Sequence, residues 1–172
     1  MVERALQLFD EVQEHALQSN VITYTAVITA CAKGGGTAKK ALQLFGKMQK
    51  NGLHPDVSTY NAVISASGKS LMVKRALQVL EEMQQKCLQP DVSTYSTVIS
   101  ACGNAGDALS ALQLFEEMQQ KGLQSDVITD TAVITSCAVV GGTAKKPLQL
   151  FDVMRQNGFQ PNLITYSRVV GR

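Results

Sequence analysis

The sequence predicts an all-α fold, an α-α superhelix in the form of an α-solenoid of stacked helical hairpins. Three observations carry this prediction. One pentapeptide recurs along the chain, apolar residues fall at helical spacing, and glycine and proline punctuate the chain at the same beat. The pentapeptide ALQLF stands at Ala5–Phe9, Ala41–Phe45 and Ala111–Phe115, with ALQVL at Ala76–Leu80 and PLQLF at Pro147–Phe151. Successive copies are 36, 35, 35 and 36 residues apart. Self-similarity at such a period marks a stack of supersecondary units.

A second string keeps the same period: VITYTAVITAC from Val21, VSTYNAVISAS from Val57, VSTYSTVISAC from Val92, VITDTAVITSC from Val127 and LITYSRVV from Leu163. A third closes each unit, as NGLHPD, KCLQPD, KGLQSD and NGFQPN, ending at Asp56, Asp91, Asp126 and Asn162. The organisation is therefore a partial repeat at 1–20, four full repeats at 21–56, 57–91, 92–126 and 127–162, and a truncated stub at 163–172, all in one solenoid domain.

Each unit reads as two helices. In the first, Tyr24, Val27, Ile28 and Cys31 fall at i, i+3, i+4 and i+7, one apolar face. Thr23, Thr59, Thr94, Thr129 and Thr165 precede that face, where a hydroxyl is expected to cap free N–H groups. A glycine-containing break follows, at Gly34–Gly36, Gly68, Gly103–Gly106 and Gly141–Gly142. The second helix carries Ala41, Leu42, Leu44, Phe45 and Met48. It stops near Gly52, Gly122 or Gly158, with Pro55, Pro90 and Pro161 shortly beyond. Two short amphipathic helices cannot bury their stripes alone, so the units stack.

Opposite the apolar face of the first helix, steps of four give Thr25, Thr29 and Lys33. The equivalent rows are Asn61, Ser65 and Lys69, then Ser96, Ser100 and Asn104, then Thr131, Thr135 and Val139. The head of the row changes from copy to copy while the apolar slots scarcely change. With the polar closing residues, this suits readout of one monomer of a polymer per unit. The residues alone equally fit a solvated face with Asp or Asn closing a turn.

A period of 35 with Thr-Tyr early, Ala-Leu-Gln-Leu-Phe-x-x-Met in the second helix and Gly-Leu-x-Pro-Asp at the close resembles the pentatricopeptide repeat family. The tetratricopeptide repeat, its nearest rival, has a 34-residue period and expects a Trp, and this chain has no Trp. The resemblance implies a right-handed superhelix that binds single-stranded RNA, one base per repeat, without cofactor or catalysis of its own. It implies a role in RNA processing, stability, editing or translation in a mitochondrion or chloroplast. Carried over, the base-reading pairs are Thr25 with Asp56 for guanine, Asn61 with Asp91 for uracil, Ser96 with Asp126 for guanine and Thr131 with Asn162 for adenine. The implied core is 5′-GUGA-3′. Base faces would pack on Ile22, Ser58, Ser93, Ile128 and Ile164, and Lys33 and Lys69 match the lysine that meets phosphate. The sequence departs from the pattern at Ser58 and Ser93, which offer little surface to a base, at Asp130, which replaces the Tyr, and at Pro147, which replaces Ala.

Composition narrows the classes further. With 16 basic and 14 acidic residues, the net charge of +2 names no partner by itself. No run of about 18 apolar residues occurs, so no membrane-spanning helix is expected. The first residues, MVERALQLFDEVQEHAL, have neither a signal region nor a transit-peptide composition. Cys31, Cys102 and Cys137 share one slot, held by Ser67 in the second full unit, and their spacing fits no zinc pattern. They read as packing residues in a reducing compartment, while Cys87 takes the place of Gly52, Gly122 and Gly158. Gly68-Lys69-Ser70 ends like a phosphate-binding loop, but Val63 stands where the first Gly belongs. His15 and His54 have no partner at fixed spacing, so no catalytic or metal set is expected.

The alternative is a peptide- or protein-binding helical scaffold like the tetratricopeptide arrays, favoured by the near-neutral charge. Leu6, Phe9 and Val12 at one end and Tyr166, Val169 and Val170 at the other leave apolar faces. Head-to-tail self-association through them is expected.

Overall fold

In the computed structural model of the protein, residues 2–15, 19–34, 37–139, 152 and 155 are described. Among them are eight α-helices and no strand: α1 (Val2–Glu14), α2 (Val21–Lys33), α3 (Ala38–Lys50), α4 (Val57–Lys69), α5 (Val73–Gln85), α6 (Val92–Asn104), α7 (Ala108–Gln120) and α8 (Val127–Val139). They alternate as the first and second helices that the repeats predict, α1 being the second helix of the half unit. The chain divides into two compact units, Met1–Pro90 and Asp91–Arg172. The division falls one residue before the repeat boundary after Asp91. Of the fourth repeat's second helix only Asp152 and Arg155 are described, both helical and exposed. Pro147, Asn162, Ile164 and the 163–172 stub lie outside the described residues.

In the first unit α2 packs on α1, α3 and α4, and α4 packs on α3 and α5. The expected stripes are the buried ones: Tyr24 and Ile28 from α2, Phe45 and Met48 from α3, Tyr60 and Ile64 from α4, and Met83 from α5. Phe9 meets Tyr24 edge-to-face with ring centroids 4.9 Å apart, and Phe45 meets Tyr60 in the same way at 5.2 Å. Each pair ties the second helix of one hairpin to the first helix of the next. Such a pair contributes roughly 0.5–1.5 kcal/mol beyond its buried area.

In the second unit α6 packs on α7 and α8, and α7 packs on α8. Tyr95, Ile99, Met118 and Ile134 are buried there. Gly103 lets α6 and α8 approach, since a Cβ at that position would stand 2.8 Å from the Ala132 carbonyl oxygen.

Among the described residues α3, α5 and α7 stop alike. The Leu53, Leu88 and Leu123 amides reach back to the carbonyls of Met48, Met83 and Met118, each at 3.1 Å. This closure needs a left-handed residue just before the leucine. Gly52 (φ 74) and Gly122 (φ 72) supply it, and Cys87 adopts it at φ 58 in their place.

Candidate nucleic-acid interface

Asn20, Asp56 and Asp91 are N-cap residues of α2, α4 and α6, in extended conformation, and Asp126 holds the same place before α8. The Thr59 amide donates to Asp56 Oδ1 at 2.8 Å, Thr94 to Asp91 at 2.8 Å and Thr129 to Asp126 at 2.7 Å. This corrects the expectation that the threonines are the caps. They sit three residues inside, and the carboxylates cap because an anion there meets both the free N–H groups and the positive end of the helix.

The threonine hydroxyls then turn back to the same carboxylates. Thr59 Oγ1 donates to Asp56 Oδ1 at 2.7 Å, and Thr129 Oγ1 to Asp126 Oδ1 at 2.6 Å. Thr59 and Thr129 also meet the head residue of the preceding repeat. Thr25 Oγ1 and Thr59 Oγ1 lie 2.7 Å apart, and Ser96 Oγ is hydrogen-bonded to Thr129 Oγ1. Thr25 and Asp56, at opposite ends of one repeat, thus converge on a single hydroxyl of the next. Ser96 and Asp126 converge in the same way. Sequence reasoning missed Thr59 and Thr129 in this role.

The rows running from the head residues are graded in exposure. Thr25, Thr29, Asn61, Ser65, Ser100, Thr131 and Thr135 are half-buried, while Lys33, Lys69 and Asn104 are exposed. Ser96 is the most hidden head residue, 9% exposed. At the base-stacking place, Ile22 is 77% and Ile128 67% exposed, unusual for isoleucine, and Ser58 and Ser93 are exposed too. Lys69 Nζ donates to the Ala32 carbonyl at 2.9 Å, so one of its protons caps the end of α2. Lys39, Lys40, Lys74 and Arg75 are exposed at the second-helix starts. Beside Thr29 and Lys33, Val2, Ala5, Leu8 and Ala30 line a cleft of about 680 Å³ between α1 and α2.

Behind the rows, the tyrosine of the first helix is anchored by the second. The Tyr60 hydroxyl donates to Glu82 at 2.9 Å, and Lys86 pairs with Glu82 at 3.0 Å. In the next repeat Tyr95 donates to Glu117 at 2.7 Å, and Lys121 donates to both. Burial raises the pKa of Tyr60 and of Tyr95, with each lysine opposing and each glutamate adding to the rise. Burial also works to raise Glu82, but hydrogen bonds from Lys86, Tyr60 and Gln49 outweigh it and hold the carboxyl below its ordinary value. Tyr24 instead accepts from Asn51 at 3.0 Å. In the fourth repeat Asp130 replaces the tyrosine. It is 5% exposed, and neither carboxylate oxygen has a hydrogen-bond partner among the described residues. Burial is the main cause that raises its pKa, and the nearby Asp126 adds to the rise.

Cys31 and Cys102 are buried free thiols, and Ser67 is buried in the same slot. Burial, with Asp107 adding, pushes the Cys102 thiol up to about 12, so it is an inert packing group. The side chains of Cys137 and Val139 lie outside the described ones. Among the described residues no cluster of His, Cys, Asp and Glu could hold a metal ion, and no helix is long and apolar enough to cross a membrane.

The family model of the pentatricopeptide repeat domain matches residues 7–70, and that of the PPR repeat family matches 55–104 and 90–139. No curated protein sequence matches the chain. Among solved structures, pentatricopeptide repeat protein PPR10 in complex with an 18-nucleotide psaJ RNA element is 25% identical, with a TM-score of 0.75 over 95% of this chain. PPR10 from maize is 34% identical over 98%, with a TM-score of 0.70. The chain spans 24% of the length of either. The PPR domain of Arabidopsis thaliana protein-only RNase P 1, in complex with tRNA, shares the fold at 17% identity, with a TM-score of 0.86 over 98% of this chain and 88% of that one. Matched without a gap from residue 7 to residue 139, and built of the same all-α hairpins as these structures, the chain belongs to the pentatricopeptide repeat family.

Proposed function

We propose that this chain binds single-stranded RNA sequence-selectively, one repeat to one base, with 5′-GUGA-3′ as its preferred core. Thr25 with Asp56 reads guanine, Asn61 with Asp91 uracil, Ser96 with Asp126 guanine and Thr131 with Asn162 adenine. Ile22, Ser58, Ser93, Ile128 and Ile164 pack against base faces, and Lys33 and Lys69 meet phosphates. The observation that carries the reading is the convergence of Thr25 and Asp56 on the Thr59 hydroxyl. Two polar groups from opposite ends of a repeat, held together by buried packing, form the kind of pair that reads one base edge per helical repeat. PPR10, solved with an RNA element, supports RNA as the ligand class.

The chain acts as a binding module without catalysis of its own, in organellar RNA processing, stability, editing or translation. Of the end face Leu6, Phe9 and Val12, Phe9 is taken up by its contact with Tyr24, so head-to-tail self-association rests on the half-buried Leu6 and Val12. Selection from random single-stranded RNA and DNA pools tests the reading. RNA containing GUGA is the expected winner, and Asn61→Ser should move the second base from uracil towards guanine. A pool that returns no base preference overturns the assignment.

A further inference from the structure

We propose that Thr59 and Thr129 are positioning residues for base specificity, each setting the direction in which the hydroxyl of Thr25 or Ser96 faces the base. This rests on the one-repeat-per-base reading above. The direction follows from a count of protons. An ionised carboxylate only accepts, and a threonine hydroxyl has one proton to give. Thr59 gives its proton to Asp56 Oδ1, 2.7 Å away. The 2.7 Å contact between Thr25 Oγ1 and Thr59 Oγ1 also needs a proton, and Thr25 alone can supply it. The Thr25 proton therefore points back into the protein, and its oxygen turns lone pairs outward. Ser96, Thr129 and Asp126 repeat the arrangement.

A reader built this way offers acceptors only: the head hydroxyl oxygen and the closing carboxylate. Guanine matches it, because N1–H and the N2 amino group stand side by side as donors on its Watson–Crick edge. Adenine sets the N1 lone pair against the head oxygen, and uracil flanks its single N3–H with two carbonyls. Thr59 and Thr129 are both fully buried, so neither touches the base. They act through Thr25 and Ser96.

The test compares Thr59→Val with Thr59→Ser in the full chain. Valine keeps the shape and the backbone cap but frees the Thr25 proton to point outward, and serine keeps the hydroxyl. Affinities for GUGA, AUGA and GUAA oligonucleotides are measured by fluorescence anisotropy, with circular dichroism as the folding control. Thr59→Val is expected to lower the guanine-over-adenine ratio at the first base by about threefold to tenfold, one oriented hydrogen bond. The third base should be unchanged, and Thr59→Ser should keep the full ratio. Thr129→Val should do the reverse, acting on the third base alone, and it decides the question if the first variant does not fold. A folded valine variant with its ratio intact overturns the proposal while leaving the RNA reading standing. A wild-type chain without guanine preference at either base overturns both.

Discussion

Tyr95 and Glu117 lie 22 residues apart in the chain and meet through a hydrogen bond of 2.7 Å, as Tyr60 and Glu82 do at 2.9 Å. The bond closes the first helix of a repeat on its own second helix and uses the one polar atom of an otherwise buried ring.

Asp130 stands in the tyrosine's place without that closure. Asp130→Tyr is expected to stabilise the 91–172 unit by about 1–3 kcal/mol, by removing a buried carboxylate that lacks a partner. The pH dependence follows from the raised pKa. A carboxyl whose folded pKa lies above its unfolded one destabilises the fold where it is ionised, and this penalty fades as pH falls through the folded value. Urea melts should therefore show the natural chain gaining on Asp130→Asn as pH drops from neutral towards the ordinary carboxyl range.

Ser67 is a buried hydroxyl with no hydrogen-bond partner among the described residues, in the slot that Cys31 and Cys102 fill. Ser67→Cys should raise stability by about 1 kcal/mol, since a thiol costs less to bury than an unpaired hydroxyl. Thermal melts of the variant would reveal a loss if the slot were in fact polar.

Cys87 holds a left-handed conformation at φ 58, where the sister repeats use Gly52 and Gly122. A side chain there costs about 1–2 kcal/mol, and glycine returns part of that gain through its freer unfolded chain. Cys87→Gly should raise the denaturation midpoint by a net of about 0.5–1 kcal/mol. Leu71, at φ 55 in the turn after α4, invites the same change.

Gly103→Ala should destabilise the chain by about 1–3 kcal/mol, because the new methyl meets the Ala132 carbonyl. Gly46→Ala is the control. Nothing lies within 4 Å of a Cβ there, and an alanine inside α3 should add up to about 1 kcal/mol. Equal effects at the two sites in chemical denaturation would contradict the close approach of α6 and α8.

Affinity for RNA should be limited at the middle bases. Exposed Ser58 and Ser93 give little apolar contact where Ile22 and Ile128 expose most of their surface. Ser58→Val with Ser93→Val is expected to tighten binding, while the natural chain binds no more tightly than about micromolar. On the proposed assignment of Lys33 and Lys69 to phosphates, the salt dependence should be shallow. Isothermal titration at two salt concentrations checks both.

The hairpins and their buried stripes were legible in the sequence because each is local: a helical face repeats every three to four residues. Ile22 and Ile128 are singled out by the family resemblance and not by the apolar pattern, and the structure leaves both exposed. The caps are ambiguous in the sequence, since a threonine and an aspartate three residues apart both fit a helix start and the choice depends on where the first turn begins. The Thr25–Thr59 bond was hidden because it joins residues 34 apart on different repeats. The Tyr-Glu-Lys closure has a signal in the sequence. The trio recurs at Tyr60, Glu82 and Lys86 and at Tyr95, Glu117 and Lys121, and the fourth repeat lacks its tyrosine.

The hydroxyl joining Thr25 to Asp56 belongs to the repeat that follows, which bears on how such arrays can be cut and rejoined. A repeat lifted out at its apparent seam, after Asp56, leaves Thr59 behind and takes whatever third residue its new neighbour supplies. A graft cut after residue 59 carries head, closing carboxylate and linking hydroxyl as one piece. The unit of transplantation is therefore displaced three residues from the unit of sequence repetition.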